Sequence, residues 1–223
     1  MTVTFIIGAT GGTGLRLGEA LARSGNQPVG LHRKPEQALL LQTRGIRPVA
    51  GDLLAITAEE LAILMAEADS VVFTAGSGGG GDDLTDAIDG QGVVLASRAA
   101  TMAGVRRFIL VSAFPDAWRE RRMPPDFEHY MFVKRQADVH LAQTGLDWII
   151  LRPGTLLESK GTSEVRIGVA IPYGSVSRDD VAAVIAALLA APRVNRIILE
   201  LTEGTVPIRL AVAGLPGAGI QPA

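Results

Sequence analysis

The chain contains no cysteine. This excludes a disulfide scaffold, a cysteine nucleophile, thiolate zinc and iron–sulfur ligation. Histidine is scarce too. With only His32, His129 and His140, no histidine-built metal site is expected. Aromatic residues make up 4% of the 223 residues, too few for a base-stacking platform. Neither sign of charge dominates. The 21 Lys+Arg against 23 Asp+Glu leave a formal net charge of −2, which gives no global pull towards nucleic acid or an anionic membrane. The longest apolar run, Val181 to Ala191, is bounded by Asp179-Asp180 and Pro192-Arg193. It falls short of the ~20 residues a spanning helix needs. The amino terminus lacks a basic stretch and runs straight into glycines, so no signal peptide is expected. The sequence is read as that of a cytoplasmic protein with a small-molecule ligand and neither a nucleic-acid nor a membrane partner.

What is present is apolar and ordered in a pattern. Hydrophobic residues are 48% and charged residues 20%, with a mean hydropathy of +0.29. This fits a fold whose strands are buried on both faces. Val3 to Ile7 is a β-branched and aromatic run that stops at Gly8, and an apolar helical pattern follows towards Gly25. Similar runs at Pro28–Leu31, Gly45–Val49, Ser70–Ala75, Arg107–Val111, Leu146–Leu151 and Asn195–Leu201 alternate with helical stretches. Thr57 with Glu60 three residues on is a capping-box pattern. Asp83 to Ala103 reads as one long helix carrying Gly90 and Gly92. Strand–helix alternation predicts a single-domain α/β fold, a doubly wound parallel sheet with helices on both faces. Residues 1–213 form that domain, and the Gly/Pro-rich tail 214–223 is expected to be disordered.

Chemistry first shows itself at the turn after the first strand, Gly8-Ala9-Thr10-Gly11-Gly12-Thr13-Gly14. Small residues there let the backbone approach a pyrophosphate, and the helix that follows offers unpaired N–H donors and positive potential. The turn is therefore a candidate dinucleotide site, with Gly8, Thr10, Gly11, Gly12, Thr13 and Gly14 as contacts. An NAD site usually places Asp or Glu about 20 residues further on. This chain has His32-Arg33-Lys34 and no acid before Glu36. A guanidinium bonds a 2′-phosphate that a carboxylate would repel, so Arg33 and Lys34 favour NADP(H) over NAD(H). Asp52 and Leu53, after the third strand, are placed beside the adenine. Asp52 either accepts from the adenine amino group or caps the next turn. Ala75 and Gly76 end the fourth strand and are taken as cofactor contacts. The glycine-rich stretch Gly76–Gly81 is either a flexible loop or a mobile segment over the ligand.

Tyr130 and Lys134 lie i, i+4 on one helix face. A neighbouring ammonium stabilises a phenolate, so the tyrosine is expected to titrate below its ordinary range and to exchange a proton with a substrate oxygen. Ser112 ends the strand Phe108–Val111. Its hydroxyl either bonds the same oxygen or only terminates the strand.

Together, GATGGTG, the basic residues after the second strand, Ser112, Tyr130-x-x-x-Lys134 and Arg152-Pro153-Gly154 resemble the short-chain dehydrogenase/reductase superfamily. The glycine spacing and the RPG segment are similar to its atypical branch near the NmrA-like group. Ser177-Arg178-Asp179-Asp180-Val181-Ala182 resembles a helix start common there. The resemblance spans about Met1 to Leu210. It implies a Rossmann fold with strand order 3-2-1-4-5-6-7 and a catalytic set of Ser112, Tyr130 and Lys134. It also implies that Lys134 bonds the nicotinamide ribose, that Pro153, Gly154 and Thr155 belong to the cofactor site, and that Thr155 and Leu156 approach the nicotinamide end. The activity implied is an NADPH-dependent reduction of a small carbonyl, quinone or related acceptor, by a monomer or homodimer. Two alternatives stay open: a non-catalytic NADP(H) sensor, and a sugar-nucleotide epimerase or dehydratase, which the short chain disfavours. The segments 113–126 and 155–176 are the candidate substrate walls. Arg119, Arg121 and Arg122 in the first either suit an anionic substrate or form a solvated loop.

Overall fold

The computed structural model describes residues 1–114 and 122–217. Its elements are β1 (Val3–Ile7), α1 (Gly12–Arg23), β2 (Gln27–His32), α2 (Glu36–Thr43), β3 (Arg47–Ala50), α3 (Ala58–Leu64), β4 (Ser70–Phe73), α4 (Asp82–Leu84), α5 (Gly92–Met102), β5 (Arg107–Val111) and α6 (Pro125–Ala142). There follow β6 (Asp147–Pro153), β7 (Thr155–Leu157), β8 (Glu164–Gly168), β9 (Ser175–Ser177), α7 (Arg178–Leu189), β10 (Ile197–Glu203), β11 (Val206–Pro207) and α8 (Ile208–Ala213).

The unbroken apolar runs divide between two faces. β1 sends Phe5 and Ile7 to one hydrophobic layer and Ile6 to the other. β4 divides Val71 and Phe73 from Val72, and β5 divides Phe108 and Leu110 from Ile109. All of these side chains are fully buried. A strand covered on both faces is mostly apolar on both, so polar alternation is missing from the sequence. Leu17 and Leu21 of α1, Leu41 of α2 and the α7 residues Val181, Val184 and Ile185 cover one face. Leu61 of α3, Val93 and Ala96 of α5 and Leu141 of α6 cover the other.

Seven strands run parallel in the order β3-β2-β1-β4-β5-β6-β10. This is the expected 3-2-1-4-5-6-7 order with β10 as the seventh strand. The order reverses between β1 and β4, and a crevice opens at their carboxyl ends, where open α/β sheets bind ligands.

The structure departs from the sequence reading in three places. The helix expected over 83–103 is interrupted: Thr85–Gln91 is π-helical. The stretch 155–176 carries β7 and β8 and the start of β9. β8 pairs antiparallel with β10 and β11, and β7 pairs with β9 in a separate ladder. The tail is not free from residue 214. Leu215 is buried in the core and Gly217 packs on the Arg193 carbonyl; residues 218–223 lie outside the described part. Among the described residues no helix is long and apolar enough to cross a membrane.

Candidate functional site

The three spaced glycines of the first turn have three different reasons to be glycine. Gly8 has φ +85°, and a Cβ there would strike the backbone at Thr74 and Ala75. At Gly14 a Cβ would collide with the Gly8 carbonyl, so that glycine seats α1 on β1 and does not line the crevice. At Gly11 a Cβ would meet only the Gly8 oxygen, at 3.3 Å. Gly11 faces a cleft of about 520 Å³, bordered also by Gly8, Thr10, Gly12 and Thr13. α1 starts with no side-chain cap and no acid in its first turn. Its orphan N–H groups and positive end are thus left for an anion in the cleft. The cradle fits a dinucleotide diphosphate.

At the far end of the cleft Arg33 is an exposed lining residue, whereas Lys34 does not reach it. Gln37 Oε1 accepts from the backbone N–H groups of Arg33 (3.1 Å) and Lys34 (2.9 Å), fixing the basic turn. Gln37 itself borders the cleft and its Nε2 lies 3.4 Å from Thr10 Oγ1. It was not singled out from the sequence, where a glutamine at the start of α2 carries no signal. Asp52 lines the cleft and also caps the next turn, its Oδ1 accepting from Leu54 N at 3.0 Å. Leu53, Ala75 and Gly76 line the cleft as well.

Ser112, Tyr130 and Lys134 meet at the same cleft. Lys134 is 2% exposed and donates to Asp89 Oδ1 (3.3 Å) and to the Val111 carbonyl (3.1 Å). Asp89, 1% exposed, is delivered by the π-helical segment, and its Oδ2 accepts from Ser77 N at 2.9 Å. One further turn along α6, Asp138 is buried and accepts from Arg152 Nε at 2.9 Å. Lys134, Asp89 and Asp138 are buried and Arg152 is half-buried, and the four formal charges cancel. Neither acid was found in the sequence. Asp138 had a usable signal, since it extends the Tyr130/Lys134 spacing by another four residues. Asp89 had none, because its placement depends on the helix changing its winding.

This surrounding reverses one expectation. Burial pushes the Tyr130 phenol above the ordinary tyrosine value; Lys134 pulls it down, and Asp89 and Asp138 push it up again. The depressed phenol expected from the lysine alone is not what the site produces. Burial likewise raises the Asp138 carboxyl, against the lowering influence of Ser112, Arg152 and Lys134. The Ser112 hydroxyl and Asp138 Oδ1 are both buried, and neither completes a hydrogen bond.

Pro153, Gly154 and Thr155 are not brought to the cleft; their neighbour Leu156 is. Gly154 is pressed on the Gly174 carbonyl, and the Thr155 hydroxyl lies 2.7 Å from that of Tyr173. A second recess, about 340 Å³, opens beside Tyr130 between the glycine loop and the start of α6. Its walls include Asp82, Asp126 and Phe127. Arg119 and Arg121 fall outside the described residues, and Arg122 is exposed. Among the described residues no group of three or more His, Asp or Glu could hold a metal ion.

The model of a family described as NAD(P)H-binding matches residues 8–192. The uncharacterized sugar epimerase YhfK of Bacillus subtilis is 36% identical over 217 residues, 95% of this chain and 99% of that one. A Bacillus halodurans structure named as a candidate NAD-dependent epimerase/dehydratase is 32% identical, with a TM-score of 0.88 over 96% of this chain and all of that one. ChuY of Escherichia coli O157:H7, named an anaerobilin reductase, is 26% identical, with a TM-score of 0.76 over 91% of this chain and 97% of that one.

Proposed function

The chain belongs to the NAD(P)H-binding family, with the Rossmann fold of an atypical short-chain dehydrogenase/reductase, and from that premise we propose that it is an NADP(H)-dependent oxidoreductase. Its substrate is a small carbonyl, quinone or related acceptor. The observation that carries this reading is the position of Tyr130, which lines both the dinucleotide cleft and the neighbouring recess. One phenol therefore faces cofactor and acceptor together. The cofactor, when bound, supplies the hydride. The Tyr130 hydroxyl gives its proton to the acceptor oxygen. Burial disfavours ionisation of that phenol, so it holds the proton that the acceptor oxygen takes. Lys134, fixed by Asp89 and the Val111 carbonyl, sits one helical turn away and holds positive charge beside the oxygen that loses the proton. The Ser112 hydroxyl, buried at the cleft without a completed hydrogen bond, turns to the acceptor oxygen.

A second reading, a redox-neutral epimerase, draws on the names of two relatives matched over nearly their whole length. A relative of equal size under that name weakens the objection from chain length. The two readings part in one assay. NADPH absorbance, followed against aldehydes, ketones, quinones and flavins, should fall in step with product. An epimerase leaves it unchanged while its sugar substrate equilibrates. With the acceptor found, Tyr130→Phe should lower turnover by about 10²-fold or more, with NADPH affinity little changed. Parental turnover by that variant would remove Tyr130 from the mechanism. An absence of any turnover, with Tyr130→Phe and parent alike in every binding assay, would favour a cofactor sensor.

A further inference from the structure

The cofactor cleft has a cation that neither the glycine turn nor the basic turn accounts for. Arg178 is the first residue of α7, 165 positions after Thr13, yet its side chain lies across the start of α1. A Cβ at Gly12 would come within 2.8 Å of Arg178 Cδ and 3.0 Å of its Nε. The missing side chain at Gly12 is thus what admits the arginine. Arg178 Nη1 lies 3.4 Å from Thr13 Oγ1 in the first turn of α1, and the residue borders the cleft with Gly11, Gly12 and Thr13.

The arginine is aimed by its surroundings. Its Nε donates to Glu158 Oε1 at 2.5 Å, and Glu158 also accepts from Arg16 Nη2 at 3.1 Å. Arg16 in turn donates to Asp179 and to the Gly12 carbonyl. At its base, α7 is capped by Ser177, whose side chain accepts from Asp180 N. One Nε contact and one long Nη1 contact leave most of the five guanidinium donors unused. No other protein acceptor among the described residues takes them. Glu158 is 69% exposed while Arg178 is 28% exposed, so the acid stands outside and the fork stands in the cleft.

We propose that Arg178 binds the diphosphate of the dinucleotide, closing from the α7 side the cradle that the α1 amino end opens, and that Glu158 orients its fork from behind. This rests on the cofactor reading above and adds a residue to it. A planar guanidinium offers two phosphate oxygens a pair of parallel charged donors at once. Glu158 also neutralises part of the charge that would attract the anion, so loss of its charge with the acceptor for Nε kept should favour binding.

The test is calorimetric titration of the full chain with NADPH and with adenosine 2′-monophosphate, which has the 2′-phosphate and no diphosphate. Arg178→Ala should weaken NADPH about tenfold or more and leave adenosine 2′-monophosphate unchanged. Glu158→Gln, which keeps an acceptor for Nε and loses the charge, should bind NADPH as tightly as the parent or more so. Unchanged NADPH affinity in Arg178→Ala overturns the inference. So does an equal loss for adenosine 2′-monophosphate, which would mean a collapsed site. Glu158→Gln weakened to the level of Arg178→Ala would make the ion pair a structural brace and overturn it as well. A parent that binds neither ligand removes the cofactor reading itself, whereas a binding parent with an unaffected Arg178→Ala removes this inference alone.

Discussion

At the scale of single residues the site turns on how three charges act on one phenol. Tyr130 is held above its ordinary titration range by burial, with Lys134 opposing and Asp89 and Asp138 reinforcing. Lys134 touches Asp89 at 3.3 Å, so the acid offsets part of the cation's effect on the phenol. Asp89→Asn keeps the shape and the acceptor for Ser77 N but removes the negative charge. A negative neighbour disfavours the phenolate, so the variant should ionise Tyr130 at a lower pH than the parent. The proton-donating form, and reductive activity with it, should then be lost at a lower pH. Ultraviolet titration of the phenolate reads this without a substrate, and Tyr130→Phe identifies the signal, since Tyr173 is the only other tyrosine. An upward or absent shift would show that Asp89 does not act on Tyr130. The Tyr130/Lys134 pair was legible because its spacing alone puts both on one face. The burial that raises the phenol most was not legible, nor was Asp89, which a π-helical segment delivers; Asp138, four residues beyond Lys134, lay within reach of the same spacing.

At the scale of elements, what was legible follows from periodicity. β1, β4 and β5 announced themselves as short apolar runs, and the Thr57/Glu60 box caps α3 as its residues implied, with Glu60 N donating to Thr57 Oγ1 at 3.2 Å. β7 and β9 have three residues each and β11 has two, too few for any period to show. Their existence depends on tertiary contacts such as Gly154 against Gly174. Asp180 is the chief fastener of that region. It is 2% exposed and accepts from Thr162 N (3.0 Å), Ser163 N (2.8 Å) and Ser177 Oγ (2.8 Å). It also holds Ser163 at φ +63°, a conformation few side chains adopt. Asp180→Ala strands two amide donors and frees that turn. The expected loss is about 2–4 kcal/mol of stability, read as a lower denaturant midpoint at unchanged slope. A loss below about 1 kcal/mol would mean that the turn finds other partners.

At the scale of the whole molecule, the cofactor cleft spans the fold. The glycine turn follows β1, the basic turn follows β2, Asp52 follows β3, Ala75 follows β4, Ser112 follows β5 and Arg178 opens α7. A ligand that touches so many elements stabilises all of them, because it binds the folded chain and not the unfolded one. Cofactor preference must then appear in global unfolding. With both ligands well above their dissociation constants, the difference in stabilisation between NADPH and NADH equals the difference in their binding free energies. The 2′-phosphate contact of Arg33 should supply about 1.5 kcal/mol, the lower end for a charged hydrogen bond, because this arginine is exposed. For a domain of this size that corresponds to about 3–6 °C in Tm. NADPH should therefore raise Tm above NADH by that margin in thermal melts at equal, saturating concentration. Arg33→Ala should lower the NADPH curve onto the NADH curve and leave the ligand-free Tm in place, since the exposed side chain bears on the ligand rather than the fold. Equal Tm gains in the parent would remove the preference for NADP(H), and a gap that survives Arg33→Ala would move the 2′-phosphate contact to another residue.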